Sequence, residues 1–80
     1  MYHVYVLRSL KTGKRYVGFT SQSLEERLAE HNSGSTAWTR EHKLFEILRS
    51  EEFSTKSLAL KREKFLKSGN GQRVLDNLIK

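Results

Sequence analysis

Eighty residues make one small domain with a thin core, since a chain of this size buries only roughly 60–65% of the surface its unfolded state exposes. The absence of cysteine excludes disulfides and thiolate zinc ligation, and no apolar run approaches the roughly 18 residues of a membrane span, so a soluble, cytoplasmic protein is expected. Fifteen Lys and Arg against nine Asp and Glu leave a net charge of +6, which suits a polyanionic partner such as nucleic acid but also serves solubility alone.

Residues 2–8 and 15–20 read as two strands of a hairpin, each a short β-branched and aromatic run, around the polar segment Lys11-Thr12-Gly13-Lys14 with its turn glycine. The hairpin places Tyr5 and Tyr16 on neighbouring strands. Ser23-Leu24-Glu25-Glu26 has the form of a capping box, so a helix begins there. On it Leu24, Leu28 and His31 form one stripe, with Arg27 at the edge, and Asn32-Ser33-Gly34 is its stop signal.

Residues 35–43 are polar apart from Ala37 and Trp38 and read as a loop or a short helical turn. Leu44-Phe45-Glu46-Ile47-Leu48 is the third strand, continuing weakly to Phe53. Ser54 or Thr55 caps a second long helix running to about Ser68, with an expected apolar face of Leu58, Ala59, Phe65 and Leu66. Ser68-Gly69-Asn70-Gly71 ends it, and Val74, Leu75, Leu78 and Ile79 recur at helical spacing in a short terminal helix. The order β-β-α-β-α-α in a single domain over residues 1–80 predicts an α+β fold with helices packed on one small sheet.

Several side chains in this frame carry chemistry, each beside a plainer role. Glu63 sits at the edge of the apolar face of its helix, where a carboxylate needs a partner. A salt bridge to Arg27 or a surface lysine meets that need, and so does a magnesium ion, which one or two carboxylates can hold with positions left for water and phosphate. Arg27 and His31 lie one turn apart on one face. They offer a donor fork for phosphate and a proton carrier near neutral pH, or else an arginine flanking the core and a histidine hydrogen-bonded within it. Tyr5 and Tyr16 are either strand aromatics or members of the same site, and a phenol acts in proton transfer only if Arg27 or a metal is close. Trp38 is a base-stacking candidate or a lid over the core. Lys11, Lys14 and Arg15 at the hairpin, and Lys61, Arg62, Lys64 and Lys67 on the second long helix, are solvated charges or phosphate contacts.

Taken in order, these residues resemble the GIY-YIG nuclease domain over nearly the whole chain. His3-Val4-Tyr5 stands at the first motif and Tyr16-Val17-Gly18 at the second. Arg27 to Gly34 looks like the arginine-bearing helix and its exit, and Thr39-Arg40, Phe53 and Ala59-Leu60-Lys61-Arg62-Glu63-Lys64 match later segments. The small stand-alone members, related to the amino-terminal nuclease domain of excinuclease, are the most similar group. The resemblance implies a three-stranded antiparallel sheet flanked by helices and a Mg2+- or Mn2+-dependent endonuclease site. In that site the match of Glu63 holds the metal, that of Arg27 contacts phosphate, and those of Tyr5 and Tyr16 orient or deprotonate water with help from His31. The basic residues Lys11, Lys14, Arg15, Arg40, Lys61, Lys64 and Lys67 are the expected contacts to DNA, double-stranded or branched, in repair or recombination. Larger relatives draw specificity from an added DNA-binding domain that has no counterpart in these residues, so any activity is expected to be structure-guided or weakly specific, or to need a partner protein. The alternative is a nucleic-acid-binding module that keeps the fold and cleaves little.

Overall fold

A computed structural model describes residues 1–34, 37–42 and 44–79, the side chains of Trp38 and Thr39 excepted, so the two roles weighed for Trp38 and the match at Thr39 lie outside the described residues. The elements follow the expected order: β1 (Tyr2–Ser9), β2 (Arg15–Thr20), α1 (Leu24–Asn32), a short α2 (Ala37–His42), β3 (Phe45–Phe53), α3 (Lys56–Lys67) and α4 (Gly69–Ile79). The strands form one antiparallel sheet in the order β2-β1-β3. No helix among the described residues is long and apolar enough to cross a membrane.

The central strand explains the layering. Val4, Tyr5, Val6 and Leu7 are all buried, so β1 loses the in-out alternation of a sheet with one wet face. Val4 and Val6 join Val17, Ala59, Leu66 and Leu75 in one core beneath α3 and α4. Tyr5 and Leu7 join Phe45 in a second, smaller core against Leu24 and Leu28 of α1. A register shift between Val6 and Leu7 leaves Leu48 as an extra residue on β3, and Leu48 turns to the larger core.

The turns and caps follow the residues that signalled them. Gly13 takes a positive φ of 75° in the β1–β2 loop, and the buried Ser9 Oγ accepts from the N–H groups of Lys11 and Thr12 while donating to the His42 carbonyl. Ser23 caps α1 by accepting from Glu26 N–H, and Gly34 leaves it with a φ of 74°. Asn32 Oδ1 accepts from Phe45 N–H at 2.7 Å, which ties the end of α1 to the start of β3. Thr55 caps α3 by accepting from Leu58 N–H.

Two features of the helical layer differ from expectation. Only Ala59 and Leu66 of α3 are buried, whereas Leu58 and Phe65 are 49% and 39% exposed. Each stands one residue ahead of the buried row, and one residue rotates a helical side chain by about 100°, off the seam. Phe65 is covered by the Arg62 guanidinium, 5.5 Å from its ring centre. Arg62 in turn grips Glu51 of β3 with Nε and Nη2 at 2.7 and 3.1 Å, and Arg49 joins at 3.2 Å, so this arginine of the basic run ties α3 to the sheet. Those hydrogen bonds, Arg62 first, hold the Glu51 carboxyl below its ordinary range against the effect of burial.

The second difference is that α4 is longer than expected and starts at once after α3. Ser68 is the whole connection: its N–H donates to the Phe65 carbonyl, and its Oγ accepts from Gly71 N–H. Gly71 is less a stop signal than a contact point, because a Cβ there would come closer than 3 Å to Phe65 and Leu66 backbone atoms. At Gly69 the same Cβ meets nothing within 4 Å. Gly71→Ala is therefore expected to lower stability by about 1–3 kcal/mol, as overpacking does, and Gly69→Ala to leave it unchanged or slightly raised. Urea denaturation of the two variants checks this, and equal midpoints would remove the close approach as a constraint.

Candidate active site

The site grows from one cross-strand pairing. Tyr5 on β1 lies opposite Gly18 on β2, and Leu7 opposite Tyr16, which puts the two tyrosines diagonally on one face. The Tyr5 ring turns across Gly18, where a Cβ would fall closer than 3 Å to the phenol. Gly18 thus clears the path that lets a buried central-strand side chain carry its hydroxyl toward the neighbouring strand. The rings of Tyr5 and Tyr16 are 6.4 Å apart.

Helix α1 closes over this face. His31, in its last turn, places Nε2 3.0 Å from the Tyr5 hydroxyl, with its ring 4.8 Å from that of Tyr16 and 5.9 Å from that of Phe45. One turn earlier, Arg27 donates from Nε to the Tyr5 oxygen at 3.0 Å and from Nη1 to Glu30 at 2.7 Å. The phenolic oxygen accepts from Arg27 and shares a second hydrogen bond with Nε2 of His31, whose donor is set by the imidazole tautomer. Nδ1 is buried and has no hydrogen-bond partner among the described residues.

Burial sets the protonation states. It raises the Tyr5 pKa above 10, the Arg27 hydrogen bond and charge opposing it only in part. Burial also lowers that of His31, repulsion from Arg27 adding to the shift and Glu30 opposing it. Around neutral pH the pair is a protonated phenol against a neutral imidazole. The two tyrosines also differ in access: Tyr5 is 1% exposed, whereas Tyr16 is only half-buried, and the Arg27 side chain keeps 34% of its surface.

Glu63 comes from α3, and its side chain is 21% exposed beside Lys67 Nζ at 3.7 Å. The surface lysine weighed as its partner is therefore present, at a distance too long for a hydrogen bond. Glu63 does not pair with Arg27, whose carboxylate is Glu30, although its negative charge reaches Tyr5 as the last of the effects on that phenol. No group of three or more His, Cys, Asp or Glu side chains that could hold a metal occurs among the described residues. One partly buried, loosely paired carboxylate fits a magnesium ion, which keeps several waters and takes its other ligands from substrate phosphate.

The basic residues expected at the DNA lie on separate stretches. Lys11 and Lys14 are exposed on the hairpin loop, and Lys61 and Lys64 on α3. Arg15 is engaged, its Nη2 2.7 Å from Asp76 and 3.0 Å from Gln72, and Arg40 donates to the Gly34 carbonyl at 3.3 Å. Two residues of the site were given no role of their own from sequence. Glu30 was detectable as an acid three residues beyond Arg27 on one helix, and Gly18, part of the second motif, gains its role from the register that places it opposite Tyr5.

A family model described as the GIY-YIG catalytic domain matches residues 1–75. A UPF0213 protein of Staphylococcus saprophyticus is 33% identical over 75 residues, which cover 92% of this chain and 89% of that protein. A UPF0213 protein of Natronomonas pharaonis is 40% identical over 68 residues, 84% of this chain and 78% of that one. Among solved structures, the solution NMR structure of a UPF0213 protein from Bacillus halodurans is similar with a TM-score of 0.57 and 28% identity, covering 98% of this chain and 85% of that chain.

The depressed His31 pKa has a signed consequence. The unfolded chain takes up this proton near the ordinary value of 6.5 and the folded chain only at lower pH, so His31 makes stability decline as pH falls through and below 6.5. Urea midpoints measured from about pH 7.5 down to about pH 5.5 should fall more steeply for the wild type than for His31→Gln. Parallel slopes would show the imidazole titrating alike in both states.

Proposed function

The chain belongs to the GIY-YIG catalytic-domain family, and from that premise we propose that it is a Mg2+- or Mn2+-dependent endonuclease that hydrolyses DNA phosphodiester bonds. The observation that carries this reading is the hydrogen-bonded run Arg27–Tyr5–His31 beside the accessible Tyr16. Hydrolysis needs a positioned water, a proton acceptor, neutralisation of the charge building on phosphorus and orientation of the backbone.

Tyr5 is the inner member of the site and acts by positioning. Its oxygen fixes Arg27 through Nε, with Glu30 fixing Nη1, and the remaining N–H donors of the fork are left for the scissile phosphate. Tyr16, less buried and packed against His31, is the phenol that orients the attacking water. His31, held neutral by burial, meets the Tyr5 hydroxyl through Nε2 and keeps Nδ1 buried, so it assists from within the site through Tyr5 and Tyr16 rather than by touching the water. Glu63 is the carboxylate that would hold the metal ion, which when bound supplies Lewis-acid polarisation and charge neutralisation at the phosphate. Lys11, Lys14, Lys61 and Lys64 provide backbone contacts without base readout, in keeping with recognition of duplex or branched DNA by shape, in repair or recombination, or with a partner protein that supplies specificity.

Wild type, Glu63→Gln and Arg27→Ala incubated with single-stranded, duplex and branched DNA in Mg2+ or Mn2+ test the reading. Cleavage is expected from the wild type, none from Glu63→Gln, and a loss of about 10²–10³-fold from Arg27→Ala, the scale of removing one transition-state donor. Equal binding without cleavage by wild type and Glu63→Gln, across all substrates and metals, would sink the enzyme and leave a binding module. Affinity should fall steeply with added salt as phosphate contacts release counterions, and salt-independent binding would remove the lysines as the contact surface.

A further inference from the structure

Next to Tyr16 the surface opens into a pocket of about 310 Å³ lined by Arg15, Tyr16, Val17, Lys67 and Gln72. Its two walls come from different layers: β2 on one side, and the end of α3 with the first turn of α4 on the other. The size is at the lower end for small-molecule sites, suited to one nucleotide unit and too small for a base pair.

The polar groups around it are held from behind. Gln72 donates from its amide to the Leu66 carbonyl at 2.7 Å, which turns its Oε1 to Arg15 Nη2 at 3.0 Å. Asp76 meets the same nitrogen at 2.7 Å. Both contacts fall on Nη2, and a guanidinium carries three further N–H donors on Nε and Nη1. Arg15 is thus oriented by its neighbours with donors to spare.

Lys67 is the second cation. Its one ionic neighbour among the described residues is Glu63 at 3.7 Å, and its side chain is half exposed, so the ammonium is loosely held. That carboxylate is the one proposed for the metal ion, and a cation held there would leave Lys67 without this neighbour. The two acids therefore differ: Asp76 orients Arg15 through a close contact, and Glu63 holds Lys67 only loosely. Helix α4 starts next to Lys67 with no acidic residue in its first turn, which adds the positive end of a helix dipole on the same side.

We propose that this pocket binds one backbone phosphate next to the scissile one, gripped between Arg15 and Lys67, with Tyr16 as the wall shared by pocket and reaction site. The proposal rests on the nuclease reading for its substrate, and it adds the direction in which the strand leaves the site: across β2 toward the α3–α4 corner.

The test needs no turnover. Uniformly 15N-labelled wild type, Arg15→Gln and Lys67→Gln are titrated in EDTA with a short thymidine oligonucleotide, with inorganic phosphate and with thymidine alone. The backbone amides of Tyr16 and Val17 and the side-chain amide of Gln72 should shift with the oligonucleotide, more weakly with phosphate, and not with thymidine. Oligonucleotide affinity should drop about 3–10-fold in each variant, and the slope of its logarithm against log salt should fall by about 0.7, one single-strand phosphate contact. The half-exposed Lys67→Gln carries the test if Arg15→Gln does not fold.

Shifts confined to the hairpin loop, wild-type affinity and slope in Lys67→Gln, or equal shifts with thymidine would each overturn the proposal. Because metal is absent throughout, a protein that fails to cleave DNA can still pass. A protein that cleaves can equally fail here, so the two readings fall separately.

Discussion

Everything in the site hangs on a phenol buried in the central strand of the sheet. Tyr5 is anchored with the core at its base and polar at its tip, where Arg27 and His31 meet it. A buried hydroxyl left unpaired costs about 1–3 kcal/mol, so the fold is under thermodynamic pressure to keep both partners in place. That requirement reaches outward: it sets the rotation of α1, so that one turn of the helix delivers an arginine and a histidine to one oxygen. It also explains Gly18, since any side chain opposite Tyr5 would occupy the path of the ring.

The same arrangement separates roles that look alike. Two tyrosines in neighbouring strands become one enclosed and one accessible, because the central strand is covered on both faces and the edge strand is not. Protonation follows from that geometry. The enclosed phenol keeps its proton and the enclosed imidazole refuses one, so the buried pair stays uncharged while Arg27 carries the charge toward the surface. Glu63 approaches from the opposite helical layer, so the candidate site grows out of the smaller core, to which Tyr5 belongs, and draws its carboxylate from the helix that covers the larger one.

Much of this was legible in the residues. The hairpin, the three caps at Ser23, Thr55 and Gly34, and the order of elements follow from local signals whose mechanism is local: a hydroxyl accepting an N–H, a glycine at positive φ. The grouping of Arg27 with His31 follows from helical spacing alone. What escaped depends on contacts between distant segments. Leu58 and Phe65 look like core from hydrophobicity, and only the placement of α3 on the sheet decides that Ala59 and Leu66 are the seam. Arg62 looks like one more surface cation until β3 brings Glu51 to it, and Gly71 like a helix stop until α3 is packed against it. The burial that divides Tyr5 from Tyr16 depends on strand order, which periodicity does not encode.

The pairing of β1 with both neighbours has a kinetic side. Its hairpin with β2 is local and closes across a five-residue loop, whereas its pairing with β3 joins Tyr2 to Phe53, about fifty residues along the chain. Short loops close far sooner than long ones, and the entropy of the long closure must be met before its contacts return anything. The two tyrosines and Gly18 therefore come together across the shortest closure, the arginine and the histidine join at separations of 22 and 26 residues, and the carboxylate, on the helix after β3, comes from beyond the longest one. Until that closure the aromatic half of the site waits as an open sheet edge, and β3 is the strand that retires it.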